Sequence, residues 1–263
     1  MADRRFQGRV AIVTGGAGAF GSAVAARLLA DGARVALVDN DKSQLERAAA
    51  GLDSGLDSEP GSVLAVPGDV AVEEDVAGYV RRTVDEYGRV DLFFNNAGIE
   101  GRVAAITELD VADFDRVQAV NVRGVFLGLQ AVLRAMKRQG TGGAVVNTAS
   151  IAGLRGAGNF SPYITSKHAV IGLTRCAAQE AGEYGVRVNA VAPGYMDTRM
   201  LSAINQQIAP DDPEGAAARL TASVKLGRLG SAEDVAGLVT WLLSAEAGYI
   251  TGGVYVIDGG VTS

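Results

Sequence analysis

Residues 14–21, "TGGAGAFG", follow a short apolar run at 10–13 and precede an alanine-rich segment. Their glycines fit two frames. Gly16-x-Gly18-x-x-Gly21 matches the common dinucleotide fingerprint, whereas Gly15-x-x-x-Ala19-x-Gly21 is a longer loop with alanine where a further glycine is expected. Under both frames, "VAIVTGGAGAFGSAVAARLLADGARVALVD" (10–39) reads as strand, glycine loop, helix and second strand. Glycines let the main chain approach a pyrophosphate, and the helix behind them offers free N–H groups and the positive end of its dipole.

Outward from this unit, apolar runs at 9–13, 34–38, 63–66, 91–95, 143–148, 187–191 and 254–257 read as strands. Helical periods at 20–31, 42–50, 73–87, 112–138, 162–183 and 231–244 alternate with them, several closed by glycine such as Gly32, Gly88 and Gly185. This rhythm predicts an α/β fold: one Rossmann-type, doubly wound, seven-stranded parallel sheet with helices on both faces, in a single domain. Residues 51–61, "GLDSGLDSEPG", read as a polar surface loop. The stretch 196–224, with Pro210 and Pro213 in a helix-capable sequence, reads as a lid over a pocket or as a plain connector.

The 263 residues, 48% hydrophobic, suffice for one substantial core. A net charge of -6 argues against nucleic acid as a partner, because such binders need a concentrated cationic face. The basic pairs Arg81-Arg82 and Lys137-Arg138 read as solvated helix surface. Cys176 is the only cysteine, which excludes an intrachain disulfide and a cysteine-cluster metal site; it reads as a small helix-packing side chain. No apolar stretch of about 18 residues predicts a membrane span, and "MADRRFQGR" lacks a signal-peptide core, so a cytoplasmic protein is expected.

The second strand ends at Asp39, 24 residues after Gly15, where a carboxylate can accept hydrogen bonds from both hydroxyls of an adenosine ribose. It would repel a 2′-phosphate, and Asn40 supplies no compensating cation, so NAD is expected over NADP. Two further strand ends, "GDV" (68–70) and "NNAG" (95–98), place Asp69 to bond an adenine amino group and Ala97 and Gly98 for close approach to a cofactor.

The chemistry is expected in "VVNTASIAGLRGAGNFSPYITSKHAV" (145–170). Ser161 and Pro162 read as N-cap and first residue of a helix, so Tyr163 and Lys167, four apart, share a face. A neighbouring ammonium stabilises a phenolate, and a tyrosine of lowered pKa is a usable acid and base for an alcohol/ketone pair. Ser150, thirteen residues before Tyr163, could hold a substrate oxygen without ionising. Asn121 falls on the apolar stripe Phe114, Val117, Gly124, Gly128, so its amide is expected to be buried, with a structural hydrogen bond as the plain alternative to a site role. His168 points about 100° away from Lys167 around the helix and reads as surface or interface packing, with no metal constellation around it.

Thr14-Gly15 with Gly21, Asp69, Asn95-Asn96-Ala97-Gly98, Asn121, Ser150, Tyr163-x-x-x-Lys167, and Pro193-Gly194 followed by Thr198 together resemble the short-chain dehydrogenase/reductase family over essentially the whole chain. The resemblance implies an NAD-dependent oxidoreductase that passes hydride between nicotinamide and a secondary alcohol/ketone carbon. It implies Tyr163 as proton donor and acceptor, Lys167 as its pKa-lowering partner and ribose ligand, Ser150 as orienter of the substrate oxygen, and Asn121 as holder of a water linking Lys167 to solvent. Cofactor contacts would come from Gly15, Gly18, Ala19, Phe20, Gly21, Asp39, Asp69, Val70, Asn96, Ala97, Gly98, Tyr163, Lys167, Pro193, Gly194, Met196 and Thr198. The longer glycine frame then applies, and Ala19 is expected to keep a negative φ.

Within the family, "FFNNAGIEG" (93–101), "NVRGVFLGL" (121–129) and "SKHAVIGLTR" (166–175) look most like NAD-dependent reductases of cyclic ketones. Substrate-facing candidates are Ser150, Ile151, Ala152, Arg155, Phe160, Tyr163, Tyr195 and residues 100–102; Arg155 would bind an acidic group or simply face solvent. Val122, Phe126, Leu129 and Leu133 add a second apolar face to their helix, and the resemblance implies a homotetramer built on such helices and on the tail "YITGGVYVIDGG" (249–260). Two other readings stand beside this one: a 3-oxoacyl-thioester reductase of the same fold, and a non-catalytic NAD-sensing protein.

Overall fold

The computed structural model describes residues 4–55 and 61–263. Seven strands form one parallel sheet: β1 (Val10–Thr14), β2 (Arg34–Asp39), β3 (Val63–Pro67), β4 (Leu92–Asn95), β5 (Gly143–Thr148), β6 (Val186–Pro193) and β7 (Val254–Ile257), in the order β3-β2-β1-β4-β5-β6-β7. The order reverses between β1 and β4, which is where a doubly wound sheet opens a crevice at its carboxyl edge. The glycine loop leaves β1 at that point.

Successive strand residues face opposite sides, and both sides are buried. Ile12, Phe93, Val145 and Val188 enter a core shared with α3 (Glu73–Tyr87), α5 (Gly124–Gln139) and α6 (Ser161–Ala181). Val13, Phe94, Val146 and Val191 enter a second core with α1 (Ala19–Ala30), α2 (Lys42–Gly55) and α9 (Ala232–Leu243). Between the sheet and α6 runs a buried polar ladder: Asn95 Nδ2 donates to Asn147 Oδ1 at 3.1 Å, and Asn147 Nδ2 donates to Thr174 Oγ1 at 2.9 Å. Asn95 is therefore committed to the core rather than to a ligand.

Several elements differ from the sequence reading. The helix after β2 runs on to Gly55, because Leu52 packs against the core and outweighs the glycine at 51; of the expected loop 51–61, residues 56–60 lie outside the described residues. The long helix expected at 112–138 is interrupted: α4 (Val111–Gln118) passes through a π-helical turn (Ala119–Arg123) into α5. That turn turns Asn121 fully inward, while Phe114 falls off the buried stripe and is 36% exposed. Leu129 and Leu133 are buried within the chain itself; Phe126 remains exposed. The next helix begins at Ser161 with Phe160 before it, so Ser161 is its first residue and makes no side-chain cap. Cys176 is exposed rather than packed. The stretch 196–224 holds α7 (Arg199–Ile208) and α8 (Pro213–Ser223), with Thr198 and Asp212 as their caps. Among the described residues no helix is long and apolar enough to cross a membrane.

Replacing Asn147 with alanine removes the middle of the buried ladder and leaves a void at the sheet centre. Urea unfolding is expected to show a loss of about 2 kcal/mol or more; a change within about 0.5 kcal/mol would mean the ladder is not a structural tie.

Candidate active site

Tight main-chain packing decides the glycine question. Gly15 has φ +62°, and a Cβ on it would lie 2.9 Å from Asn96 Nδ2; a Cβ on Gly21 would lie 2.2 Å from the Gly15 carbonyl oxygen. Gly18 has an extended backbone (φ -77°, ψ 165°), and its added Cβ would meet only that same oxygen, at 3.3 Å. Gly16 is also tight, its added Cβ lying 2.9 Å from Leu37 Cδ2, but that neighbour is a side chain and Gly16 has no positive φ; the positive φ of Gly15 and the main-chain contact at Gly21, with Gly18 the least constrained, favour the longer frame. Ala19 opens α1 with negative φ and lines the cavity beside Phe20.

One cavity of about 750 Å³ runs along the carboxyl edge of the sheet. At one end lie the glycine loop, Asp39, Asp69 and Val70; at the other lie Ser150, Tyr163, Tyr195 and the first residues of α7. The Asp39 carboxylate accepts the Ala17 amide at 3.1 Å and the Asp41 amide at 3.2 Å, so it fixes the glycine loop while facing the cavity. Beside it, the Gln44 main-chain N–H holds the Asp41 carboxyl down at about 2, with its side-chain amide and Ser43 assisting. Three carboxylates, Asp39, Asp41 and Asp69, and among the described residues no ammonium or guanidinium line this end. Asp69 Oδ1 accepts the Ala71 amide at 2.9 Å, which leaves its other oxygen for the cavity.

Asn96 ties the two ends together. Its Nδ2 donates to Thr14 O at 3.1 Å, its Oδ1 accepts from Thr148 Oγ1 at 3.0 Å, and its main-chain N–H donates to Thr14 Oγ1 at 2.9 Å. Thr148 O in turn accepts from Lys167 Nζ at 2.8 Å. Gly98 allows the chain to pass close: a Cβ there would be 3.2 Å from Asn121 Oδ1 and 3.5 Å from Lys167 Nζ. The Asn121 side chain clamps Ile99 in both directions, accepting its N–H and donating to its C=O at 2.8 Å each, and donates again to Ser166 Oγ at 3.0 Å. Both of its amide protons are spent, so a water link could use only its remaining acceptor lone pair or its main chain.

Tyr163 and Lys167 do share a face: Nζ lies 5.5 Å from the ring centroid, without a direct hydrogen bond. Burial dominates both groups. It pushes the Tyr163 phenol up to about 12, against a hydrogen bond from Ser150 that pulls it down and with a small upward push from Glu100. It pushes the Lys167 ammonium, which has no carboxylate partner among the described residues, down to about 8. The expected lowering of the tyrosine by the lysine is therefore outweighed by desolvation of the phenolate. Ser150 Oγ is held by the Ala152 amide at 3.1 Å.

Of the substrate-facing candidates, Ile151, Ala152, Phe160 and Tyr195 line the cavity, and Arg155 stands exposed at its mouth, 3.4 Å from Tyr195 Oη. Pro193, Gly194, Met196 and Thr198 line it too. His168 is exposed and bonds Ile164 O through Nδ1 at 2.9 Å, outside the cavity. The sequence reading missed Thr148, Ile99 and the apolar face of α7: Met200, Leu201, Ile204 and Ile208 all line the cavity, and Tyr163 Oη lies 4.0 Å from Met200 Sδ. The spacing 200, 204, 208 was the available signal. Among the described residues no cluster of His, Cys, Asp and Glu could hold a metal ion.

A family model described as enoyl-(acyl carrier protein) reductase matches residues 15–262. Levodione reductase of Leifsonia aquatica is 46% identical over 97% of this chain and 95% of its own, and a crystal structure of levodione reductase superposes with a TM-score of 0.93 at 45% identity, covering 97% of this chain and 98% of that one. Cyclohexanol dehydrogenase of Acinetobacter sp. strain SE19 is 37% identical over 99% of this chain and 98% of its own. The structure of NAD+-bound xylitol dehydrogenase gives a TM-score of 0.91 at 37% identity, covering 97% of this chain and all (100%) of that one.

Burial without a counter-charge makes a local titration expected. In carbon-detected NMR of labelled lysines, Lys167 should lose its charge near pH 8, far below the exposed lysines; titration with the others would mean that the ammonium is hydrated.

Proposed function

The chain belongs to the short-chain dehydrogenase/reductase family and is an NAD-dependent oxidoreductase of alcohol/ketone pairs; from this premise we propose that its substrate is a cyclic or otherwise apolar secondary alcohol, or the matching ketone. The observation that carries the reading is the convergence of Ser150, Tyr163 and Lys167 on one cavity whose wall at that end is largely apolar, from Ile151 and Phe160 to Met200 and Ile204, with Arg155 and Tyr195 as its polar exceptions at the mouth. The cyclic relatives, levodione reductase and cyclohexanol dehydrogenase, support the same substrate class.

Residues of this chain fit NAD. The close packing at Gly15 and Gly21 folds the loop tightly over the start of α1, and Gly15, Gly18, Ala19 and Phe20 line the cavity there, where a pyrophosphate would sit. Asp39 would take the adenosine ribose hydroxyls, Asp69 and Val70 the adenine, and Asn96, Ala97 and Gly98 the path to the second ribose. Tyr163 and Lys167 would hold that ribose, and Pro193, Gly194, Met196 and Thr198 the carboxamide end. When bound, NAD supplies the two-electron acceptor or donor.

The protein's own residues handle the proton. In alcohol oxidation the Tyr163 oxygen takes the hydroxyl proton, while Ser150 donates a hydrogen bond to the same substrate oxygen and fixes its position. In ketone reduction the Tyr163 hydroxyl returns a proton to that oxygen. Lys167 places a positive charge beneath the tyrosine ring, which favours the phenolate electrostatically, and Thr148 O and Asn96 keep the ammonium there. The helices of 196–224 act as the lid, closing the apolar side of the cavity with Met200, Leu201, Ile204, Ile208 and Leu220.

Assembly as a homotetramer belongs to the same reading. Ala119 and Val122 of the π-helical turn, Phe126 of α5 and Leu173 of α6 form an apolar surface groove, and Tyr249 and Val256 lie exposed at the β7 edge of the sheet. A cytoplasmic setting accords with the exposed, unpaired thiol of Cys176.

Steady-state assays with cyclic alcohols, linear alcohols and 3-hydroxyacyl thioesters test the reading. The expected result is turnover of cyclic alcohols with NAD favoured over NADP by tenfold or more, about 1.4 kcal/mol in transition-state stabilisation. A preference for NADP would overturn the role of Asp39, and turnover of thioesters alone would favour the acyl reductase reading.

The pH dependence follows from the buried pair. Its first proton leaves near pH 8, set by Lys167, and the singly deprotonated pair includes the phenolate–ammonium form that accepts the alcohol proton. Oxidation kcat/KM should therefore rise through about pH 8 and ketone reduction should fall. In Lys167→Met only the phenol at about 12 remains, so oxidation should stay low from neutral pH to beyond the wild-type limb; an unshifted limb would remove Lys167 from the proton step.

A further inference from the structure

Gln207 lies on the last turn of α7, exposed and outside the cavity wall. Its amide nevertheless makes two long-range bonds to one stretch of main chain: Val103 N–H donates to Oε1 at 3.0 Å, and Nε2 donates to Gly101 O at 3.3 Å. One side-chain amide thus pairs with a carbonyl and an N–H two residues apart, the pattern a neighbouring strand would offer.

The stretch it grips is tied on either side. Ile99 is clamped in both directions by Asn121, and the Ala104 amide donates to Asn159 O at 3.0 Å in the segment that leads into α6. Asn159 has φ +70°, alone among the described non-glycine residues in being positive. Residues 99–104 therefore connect the helix that carries Asn121, the approach to Tyr163, and α7. The start of α7 is held by Thr198 Oγ1, which accepts the Leu201 amide at 3.4 Å; its far end is held by Gln207. On its inner face Asn205 Oδ1 is buried with no donor, so the seat of α7 is not fixed by that side chain.

We propose that Gln207 is a positioning residue: its amide latches the end of α7 to residues 101–103 and so holds Met200, Ile204 and Ile208 over Tyr163, setting the affinity for the alcohol and not that for the nucleotide. This rests on the reading of the cavity as an alcohol/ketone site. The latch lies at the substrate end, remote in function from Asp39 and the glycine loop, and acts through the apolar wall rather than by touching substrate.

The test compares Gln207→Met, which keeps length and helix propensity but loses both bonds, with Gln207→Glu, which keeps the acceptor for Val103 N–H and loses the donor to Gly101. Gln207→Met is expected to raise KM for a cyclic alcohol roughly five- to tenfold, with kcat undiminished and the NAD dissociation constant within about twofold, on the scale of one or two hydrogen bonds. Gln207→Glu should fall between it and the wild type. Hydrogen exchange of the protein alone should quicken in both 101–104 and 199–208 for Gln207→Met. Unchanged exchange would overturn the latch, and so would KM, kcat, NAD affinity and thermal midpoint worsening together, which marks a purely structural side chain. Because exchange is read without turnover, it decides the latch even if no alcohol is oxidised, a result that would count against the substrate reading instead.

Discussion

The amide of Asn96 joins the end of β1 to the end of β5 by donating to Thr14 O and accepting from Thr148 Oγ1. Thr148 then presents its carbonyl to Lys167, so a single polar chain runs from the glycine loop to the buried ammonium. Parallel strands make this possible, because every β-to-α connection of the sheet opens on the same edge. Were Asn96 to lose one of these bonds, the glycine-loop end and the Tyr163 end of the cavity would be joined only through the sheet. Each bond is modest alone, but the groups are largely withdrawn from water, where an unsatisfied partner costs about 1–3 kcal/mol.

The same withdrawal from water sets the proton chemistry. Burial favours the neutral form of each group, raising the Tyr163 phenol and lowering the Lys167 ammonium, so the two proton affinities move apart and the lysine gives up its proton first. A phenol and an ammonium differ little in water; in the cavity the charged form of each carries a desolvation cost, which separates them. Ser150 biases the phenol back toward ionisation by a hydrogen bond. The lysine is useful because it lacks a carboxylate partner: an ion pair would hold its charge and remove its ability to respond.

The apolar wall supplied by α7 explains why desolvation is so strong at this end. Met200 approaches the Tyr163 hydroxyl, and Ile204 and Ile208 continue the wall along one helix face. The opposite end of the cavity is polar, with Asp39 and Asp41 at its rim. One cavity therefore presents an anionic end and a largely apolar end, and the boundary between them lies at Gly98, where an added Cβ would sit tightly against Asn121 Oδ1, at 3.2 Å.

Local pattern sufficed for the sheet, since strands buried on both faces appear as continuous apolar runs, and for Asp39, Ser150, Tyr163 and Lys167, whose spacing relative to strand ends and helix turns is a property of the chain alone. Other features depended on contacts between distant segments. The choice between the glycine frames rests on the approach of Asn96 to Gly15 and of Gly15 to Gly21, which no single loop reveals. The π-helical turn that buries Asn121 and frees Phe114 breaks a periodicity that in sequence reads as one helix. The helix through Gly51 exists because Leu52 finds a core; the Thr148 carbonyl meets the side chain of Lys167, 19 residues away, and Gln207 meets the main chain of Val103, 104 residues away. Sequence determined which groups could do chemistry; tertiary packing decided their solvation and partners, because desolvation and hydrogen bonding depend on what surrounds a residue in space rather than along the chain.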